Sequence, residues 1–172
     1  MVSAFQYCFW IEGAFTFLVY VWGVYYFWVH PDEPVWGALK NRCVFIPWLI
    51  CELAGIPCFA LITIEFWDEG VADWHVLLTY SVFLIGEAMW MILTVYKNIQ
   101  FTRFCLITIS AAAFLLAIEI GVANPSSRAL APAILLGLHI TIWDAVVWMN
   151  SWEDEVEDHY VTLKNPGRGG RV

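Results

Sequence analysis

The chain has 172 residues, 61% of them hydrophobic and only 14% charged, against about 25% charged in a soluble domain. That composition excludes an ordinary soluble fold, and the formal net charge of −8 comes with no basic stripe for nucleic acid. The charge is otherwise a poor guide to partners, because Glu153, Asp154, Glu155, Glu157 and Asp158 share one polar tail and other acids lie inside apolar runs.

About 20 apolar residues are needed to cross a hydrocarbon core, and five segments reach or approach that length. The first runs from about Ala4 to Val29 and ends at His30-Pro31-Asp32-Glu33-Pro34. It follows Met1 without a basic n-region and is too long for an h-region, so it reads as a span and not a cleavable signal. The second runs from about Cys43 to Trp67, the third from Trp74 to Tyr96, the fourth from Phe101 to Ala123 and the fifth from Ala129 to Asn150. Only Lys97-Asn98-Ile99-Gln100 separates the third from the fourth. Fusing them would put two charges near the middle of an overlong helix, so a break is expected there. Asn124-Pro125-Ser126-Ser127 is a turn signal before the fifth.

The distribution of basic residues tests this count independently. Five spans place Lys40, Arg42, Lys97, Arg103, Lys164, Arg168 and Arg171 on one face and only Arg128 on the other. The expected architecture is therefore an all-α, five-transmembrane-helix bundle over residues 1–150, N-terminus outside and C-terminus inside, followed by a polar acidic tail over 151–172. The tail reads as a solvated segment, in part a short helix extending the fifth span, with a flexible Gly-rich end. Trp28, Trp36, Trp67, Trp74, Trp148 and Trp152 fall near span ends and read as an interfacial aromatic belt. Trp10, Trp22, Trp90 and Trp143 lie deeper.

Every span carries an interior acid: Glu12, Glu52, Glu87, Glu119 and Asp144, with Glu65 nearer an end. No Lys or Arg lies deep within a span. An ionised carboxylate at mid-membrane costs about 2.5–3.5 kcal/mol on insertion scales, and neutralising one at pH 7 costs about as much. Neither form is rewarded by lipid, so the acids are expected to face the bundle interior, a cavity or a partner. At about 1.5 Å per residue, Glu12, Glu65 and Glu119 fall toward the outer face, Glu52, Glu87 and His139 near the middle, and Asp144 toward the inner face. One reading of Glu12, Glu52 and Glu119 is a proton path or cationic-ligand site. The other is interhelical hydrogen bonding by protonated acids.

Other chemistries find little support. Cys8, Cys43, Cys51, Cys58 and Cys105 are odd in number, form no C-x-x-C pair, and read as small buried hydrophobes. No two histidines match in depth, so bis-histidine haem ligation is not expected, and His139 alone is left as a single axial ligand. Glu-x-x-His, G-x-S-x-G and phosphate-binding glycine loops are all absent. Neither an enzyme nor a metal site is expected.

Several residues carry a family resemblance. Tyr80 precedes Glu87-Ala88-Met89-Trp90 in the third span. In the fifth, Arg128-Ala129-Leu130 precedes Pro132, with Asp144 twelve residues after that proline, Trp148 four beyond, and then Asn150. This spacing resembles the tryptophan-rich sensory protein/translocator protein (TspO) family, whose pattern has Asn at the two acidic positions. The chain departs from it at Leu136, where the family has Trp, and in the segment entering the second span, reduced to Pro34-x-Trp36 and Pro47-Trp48. Usable spacing covers roughly residues 75–150.

The resemblance implies a bundle that binds planar or apolar ligands such as tetrapyrroles, sterols or related lipids, with Glu87, Trp90, His139, Trp143 and Asp144 as pocket residues. A porphyrin or haem would then be ligand and not a required cofactor. Ordinary helix packing is the alternative for Trp90 and Trp143. Val156-x₃-Tyr160-x₃-Lys164 matches a proposed cholesterol pattern, weakened by the surrounding acids. Two other functions compete: an accessory subunit of a respiratory or photosynthetic membrane complex, suggested by the aromatic first span, and a small proton channel or transporter. The partners expected are the bilayer, an apolar small molecule, and other membrane subunits or a second copy. The host membrane, whether organellar or bacterial, is left open.

Overall fold

The computed structural model describes residues 4–31, 33, 42–69, 73–124 and 126–164, and these are helical throughout apart from short connections. Pro34, Trp36 and Lys40 of the first loop, Pro125 and the Gly-rich end over 165–172 lie outside the described residues, as do the side chains of Cys43, Trp48, Cys51, Glu52, Asp158, Tyr160 and Lys164. The helices are α1 (Ala4–Val29), α2 (Arg42–Glu69), α3 (Trp74–Val95), α4 (Ile99–Ala123) and α5 (Leu130–His139). A π-helical stretch over Ile140–Trp148 and then α6 (Met149–Lys164) follow without interruption. Among the described residues four helices are long and apolar enough to cross a membrane: α1, α3, α4 and the continuous rod Leu130–Glu157. α2 is 28 residues long and carries Pro47 and Pro57 within it.

The break between the third and fourth apolar segments has a local cause. Asn98 N–H donates to Leu93 O at 3.0 Å and Lys97 N–H to Thr94 O at 3.1 Å, the paired bonds of a Schellman motif. Lys97 takes the left-handed conformation this motif requires, with φ of 54°. Asn98 then caps α4, its side-chain oxygen accepting from Phe101 N–H at 3.3 Å. Two residues thus end one helix and start the next.

α3 packs on α1 and α4, α4 on α5 and the π stretch, and α5 on α2, which meets α1 more sparingly. The bundle order is therefore α1, α3, α4, α5, α2. α4 is the most buried of the four membrane-type helices and α1 the least. At one end, Phe5, Phe59, Phe66, Tyr80 and Phe83 join α1, α2 and α3, with Tyr80 OH bonded to Thr63 Oγ1 at 2.9 Å. Arg128 lies near Glu65 (3.6 Å) and Asp68 (3.5 Å) at that same end. At the opposite end, Lys97 pairs with Glu33 and Arg103 with Glu153.

The seam between α1 and α3 is polar at four-residue intervals. Cys8, Glu12, Thr16 and Tyr20 share one face of α1. The Cys8 thiol donates to Glu12 Oε2 at 2.8 Å and meets Ser81 Oγ at 3.1 Å. Thr16 Oγ1 lies 2.9 Å from Leu84 O, and Tyr20 OH bonds Glu87. Such bonds fix the register of helices that lipid does not drive together.

The α3–α4 seam depends on Gly86, where an added Cβ would sit 2.6 Å from Ile109 Cγ1. Ile109 is fully buried and has no room to retreat. Gly86→Ala is expected to destabilise the bundle by about 1–3 kcal/mol through overpacking, measured as the denaturation midpoint in micelles.

Two expectations for the tryptophans are corrected. Trp148 and Trp152 are not belt residues: they are 5% and 0% exposed and belong to the core. The helix runs on past the apolar segment as α6, and its Trp152 and Val156 turn inward against the bundle. Trp28 and Trp74 are exposed, at 82% and 73%. Trp67 is partly buried and meets Phe9 and Trp10. Cys8, Cys58 and Cys105 are free thiols.

Candidate functional site

The π stretch sets the site's geometry. Five of its nine residues (Ile140, Thr141, Ile142, Val146 and Val147) are β-branched, and such side chains crowd the preceding turn of an α-helix. A π turn closes its hydrogen bonds from i to i+5, a wider ring than that of the α-helix. It also brings residues five apart toward one face, whereas α geometry turns them well away from each other. His139 and Asp144 are five apart, and His139 Nε2 lies 3.6 Å from Asp144 Oδ2. Both side chains are about nine-tenths buried, at 10% and 12% exposure. The imidazole lies beside Gly55 of α2, whose added Cβ would be 3.9 Å from His139 Cδ2. Thr141 ties the stretch to α4 through Ser110 and back-bonds to Gly137 O at 2.7 Å.

A second group comes from α1 and α3. Tyr20 OH donates to Glu87 Oε2 at 2.5 Å. Trp90, one turn beyond Glu87, has its ring centroid 6.1 Å from that of Tyr20. It meets Trp148 edge-to-face at 5.3 Å, and Trp148 stacks on Trp152 at 5.1 Å with an interplanar angle of 12°. Trp148 ends the π stretch, so this ring contact joins the Tyr20–Glu87–Trp90 group to the stretch that carries His139 and Asp144. Trp90 Nε1 is buried and finds no hydrogen-bond partner among the described residues.

The predicted residues are thus placed as follows. Glu87 and Trp90 sit together, His139 and Asp144 sit together, and Trp143 is half-buried on the same π stretch. The other interior acids are held elsewhere along the seams and connections. Glu12 lies in the α1–α3 seam with Cys8, Glu119 Oε1 accepts from Thr79 on α3 at 3.1 Å, and Glu65 accepts from Ser127 at 2.6 Å. Glu52 lies on α2, its side chain outside the described ones. Sequence reasoning missed Tyr20 and Trp152 as parts of this group. The four-residue recurrence of Cys8, Glu12, Thr16 and Tyr20 is the signal that would have found Tyr20. Among the described residues no three His, Cys, Asp or Glu side chains gather as a metal site.

Helices of this length and apolarity, packed into one bundle, define a multi-pass helical membrane protein. Comparison with family models, curated proteins and solved structures returned no match.

Proposed function

We propose that the chain crosses the membrane five times, N-terminus outside and C-terminus inside, and binds a planar or apolar ligand between α1, α3 and the π stretch. The observation that carries this reading is the cluster of Tyr20, Trp90 and Trp148 rings beside Glu87, joined to the buried His139–Asp144 pair. Mostly apolar walls with a few placed polar groups are what small-molecule sites present, and π-helical turns recur at functional sites. The resemblance to the TspO family supports the same residues, with Tyr80, Glu87-x-x-Trp90, Pro132, Asp144 and Trp148 on its spacing. α2 supplies the fifth crossing by its 28-residue length. That count puts Lys97 and Arg103 on the inner face with the tail, in keeping with the pairing of Arg103 with Glu153. The ligand classes are tetrapyrroles, sterols and related lipids, and the protein acts by binding, not catalysis.

Tryptophan fluorescence tests this directly, because Trp90 and Trp148 belong to the ring cluster. Saturable quenching by protoporphyrin IX of the purified chain in mild detergent is the expected result. Titration with no quenching beyond that of free tryptophan overturns the reading for tetrapyrroles.

One observation favours a second reading, an accessory subunit of a larger membrane complex. α1 is the least buried of the four membrane-type helices, and Trp10, Phe17, Tyr25 and Trp28 all stand exposed on it. Stoichiometric partners retained after mild extraction would support that role, and a lone chain would remove its support.

A further inference from the structure

The polar stripe of α1 forms a nearly continuous line with groups of α3. Cys8 Sγ lies 3.1 Å from Ser81 Oγ and donates to Glu12 Oε2 at 2.8 Å. Thr16 Oγ1 lies 2.8 Å from Glu12 O and 2.9 Å from Leu84 O. Tyr20 OH then donates to Glu87. The line starts one turn inside α1, which begins at Ala4, and runs about 18 Å at 1.5 Å per residue. That carries it past the midpoint of the helix, and there it stops. The next turn packs Gly23 against Met91, and Trp90 meets Trp148, which stacks on Trp152.

Helix register alone does not account for these residue types. Serine and threonine can bond helices together without charge, whereas a carboxyl in a membrane is costly and marks proton relays. Two carboxyls stand on this seam, and neither α1 nor α3 contains a Lys or Arg. Thiol, hydroxyl and carboxyl groups can each give and take a proton, which indole and thioether cannot. The titratable groups around Glu87 are Tyr20 on α1 and Cys105 on α4, with Asp144 and His139 on the rod before Trp148. No Lys or Arg is among them to pin the carboxyl in one state. We infer that the α1–α3 seam is a proton path from the N-terminal end of α1 to Glu87, and that Glu87 exchanges protons with that side of the membrane alone. A proton enters at Cys8 and Ser81 and passes to Glu12, then by Thr16 to Tyr20, which hands its own proton to Glu87. The net change is one proton bound at the Glu87 carboxylate. Successive groups are one helical turn apart, about 5.4 Å, a gap that a single water bridges. This function stands apart from the ligand reading, since the path needs no ligand and the ligand site needs no path.

Infrared spectroscopy of the full chain, reconstituted in one orientation in liposomes, reads the protonated carboxyl directly. Glu87 is assigned by the band lost in Glu87→Gln. An acid jump on the side of the α1 N-terminus should raise that band within the mixing time. The same jump on the other side should leave it unchanged until the gradient decays. Glu12→Gln and Thr16→Val should each slow the rise about a hundredfold, the usual worth of a positioned proton-transfer group, and Thr16→Ser should restore it. The sign separates a path from a structural seam, because loosening a merely structural contact admits water and does not slow exchange. An unslowed rise in either folded variant overturns the path. If neither variant folds, the two acid jumps on the unaltered protein decide. A response from the opposite side, from both sides or from neither overturns the inference. Protoporphyrin quenching is scored separately, and its absence removes the ligand reading while leaving the path standing.

Discussion

Trp152→Ala is expected to cost about 3–5 kcal/mol of bundle stability, the largest effect of any single tryptophan truncation on the tail side. Trp152 is fully buried, and its ring lies flat on Trp148, which in turn meets Trp90 edge-on. Truncation therefore removes a large apolar area, opens a cavity, and frees Trp148 to move away from Trp90. Aromatic pairs add about 0.5–1.5 kcal/mol beyond area alone, so the loss should fall toward the upper part of the range. Trp28 provides the control: it is 82% exposed, and Trp28→Ala should change stability by about 0.5 kcal/mol or less. The midpoint of denaturant-induced unfolding in micelles, followed by far-UV circular dichroism, separates the two. Equal small shifts would return Trp152 to the interface, where its position at the edge of the apolar segment had placed it.

That contrast shows what apolar run lengths express and what they omit. The helices α1, α3 and α4 follow the hydropathy closely, because lipid imposes a length on each. The break at Lys97-Asn98 was legible for the same reason: an unbroken helix would strand charges in the membrane, and Asn98 is a natural cap. Which face of a helix turns inward is a different matter. Trp28 and Trp152 both sit near a span end, and only the continuation of the rod through α6, with Val156 and Trp152 on its inner side, distinguishes them. Hydropathy stops where the polar tail begins and so could not see it. In α1 the periodicity does carry the information, since Cys8, Glu12, Thr16 and Tyr20 are the polar positions of one face amid aromatics on every other. The acids were read as staggered by depth, but depth ignores azimuth. Glu12 and Glu87 both serve the α1–α3 seam, whereas Glu65 and Glu119 belong to other helix pairs.

The His139–Asp144 contact was least legible of all, because it depends on a change of helix type. Spaced five apart, these residues would diverge on a regular α-helix, and only the π stretch brings them within 3.6 Å. Asp144→Leu is expected to cost about 1–3 kcal/mol, since it leaves a nine-tenths buried imidazole facing an apolar side chain in place of a carboxylate. His139→Leu should cost a similar amount by placing an apolar side chain beside the buried carboxylate. The double replacement His139→Leu/Asp144→Leu should recover most of this, because apolar residues can replace a buried pair at little net cost. A double-mutant cycle on unfolding midpoints gives the coupling directly. Strictly additive losses would mean the two side chains act separately and that their proximity has no energetic weight. Recovery of stability in the double variant together with loss of protoporphyrin quenching would have a further meaning. It would show that the pair, and the wide turn that brings it together, is retained for the ligand and not for the fold.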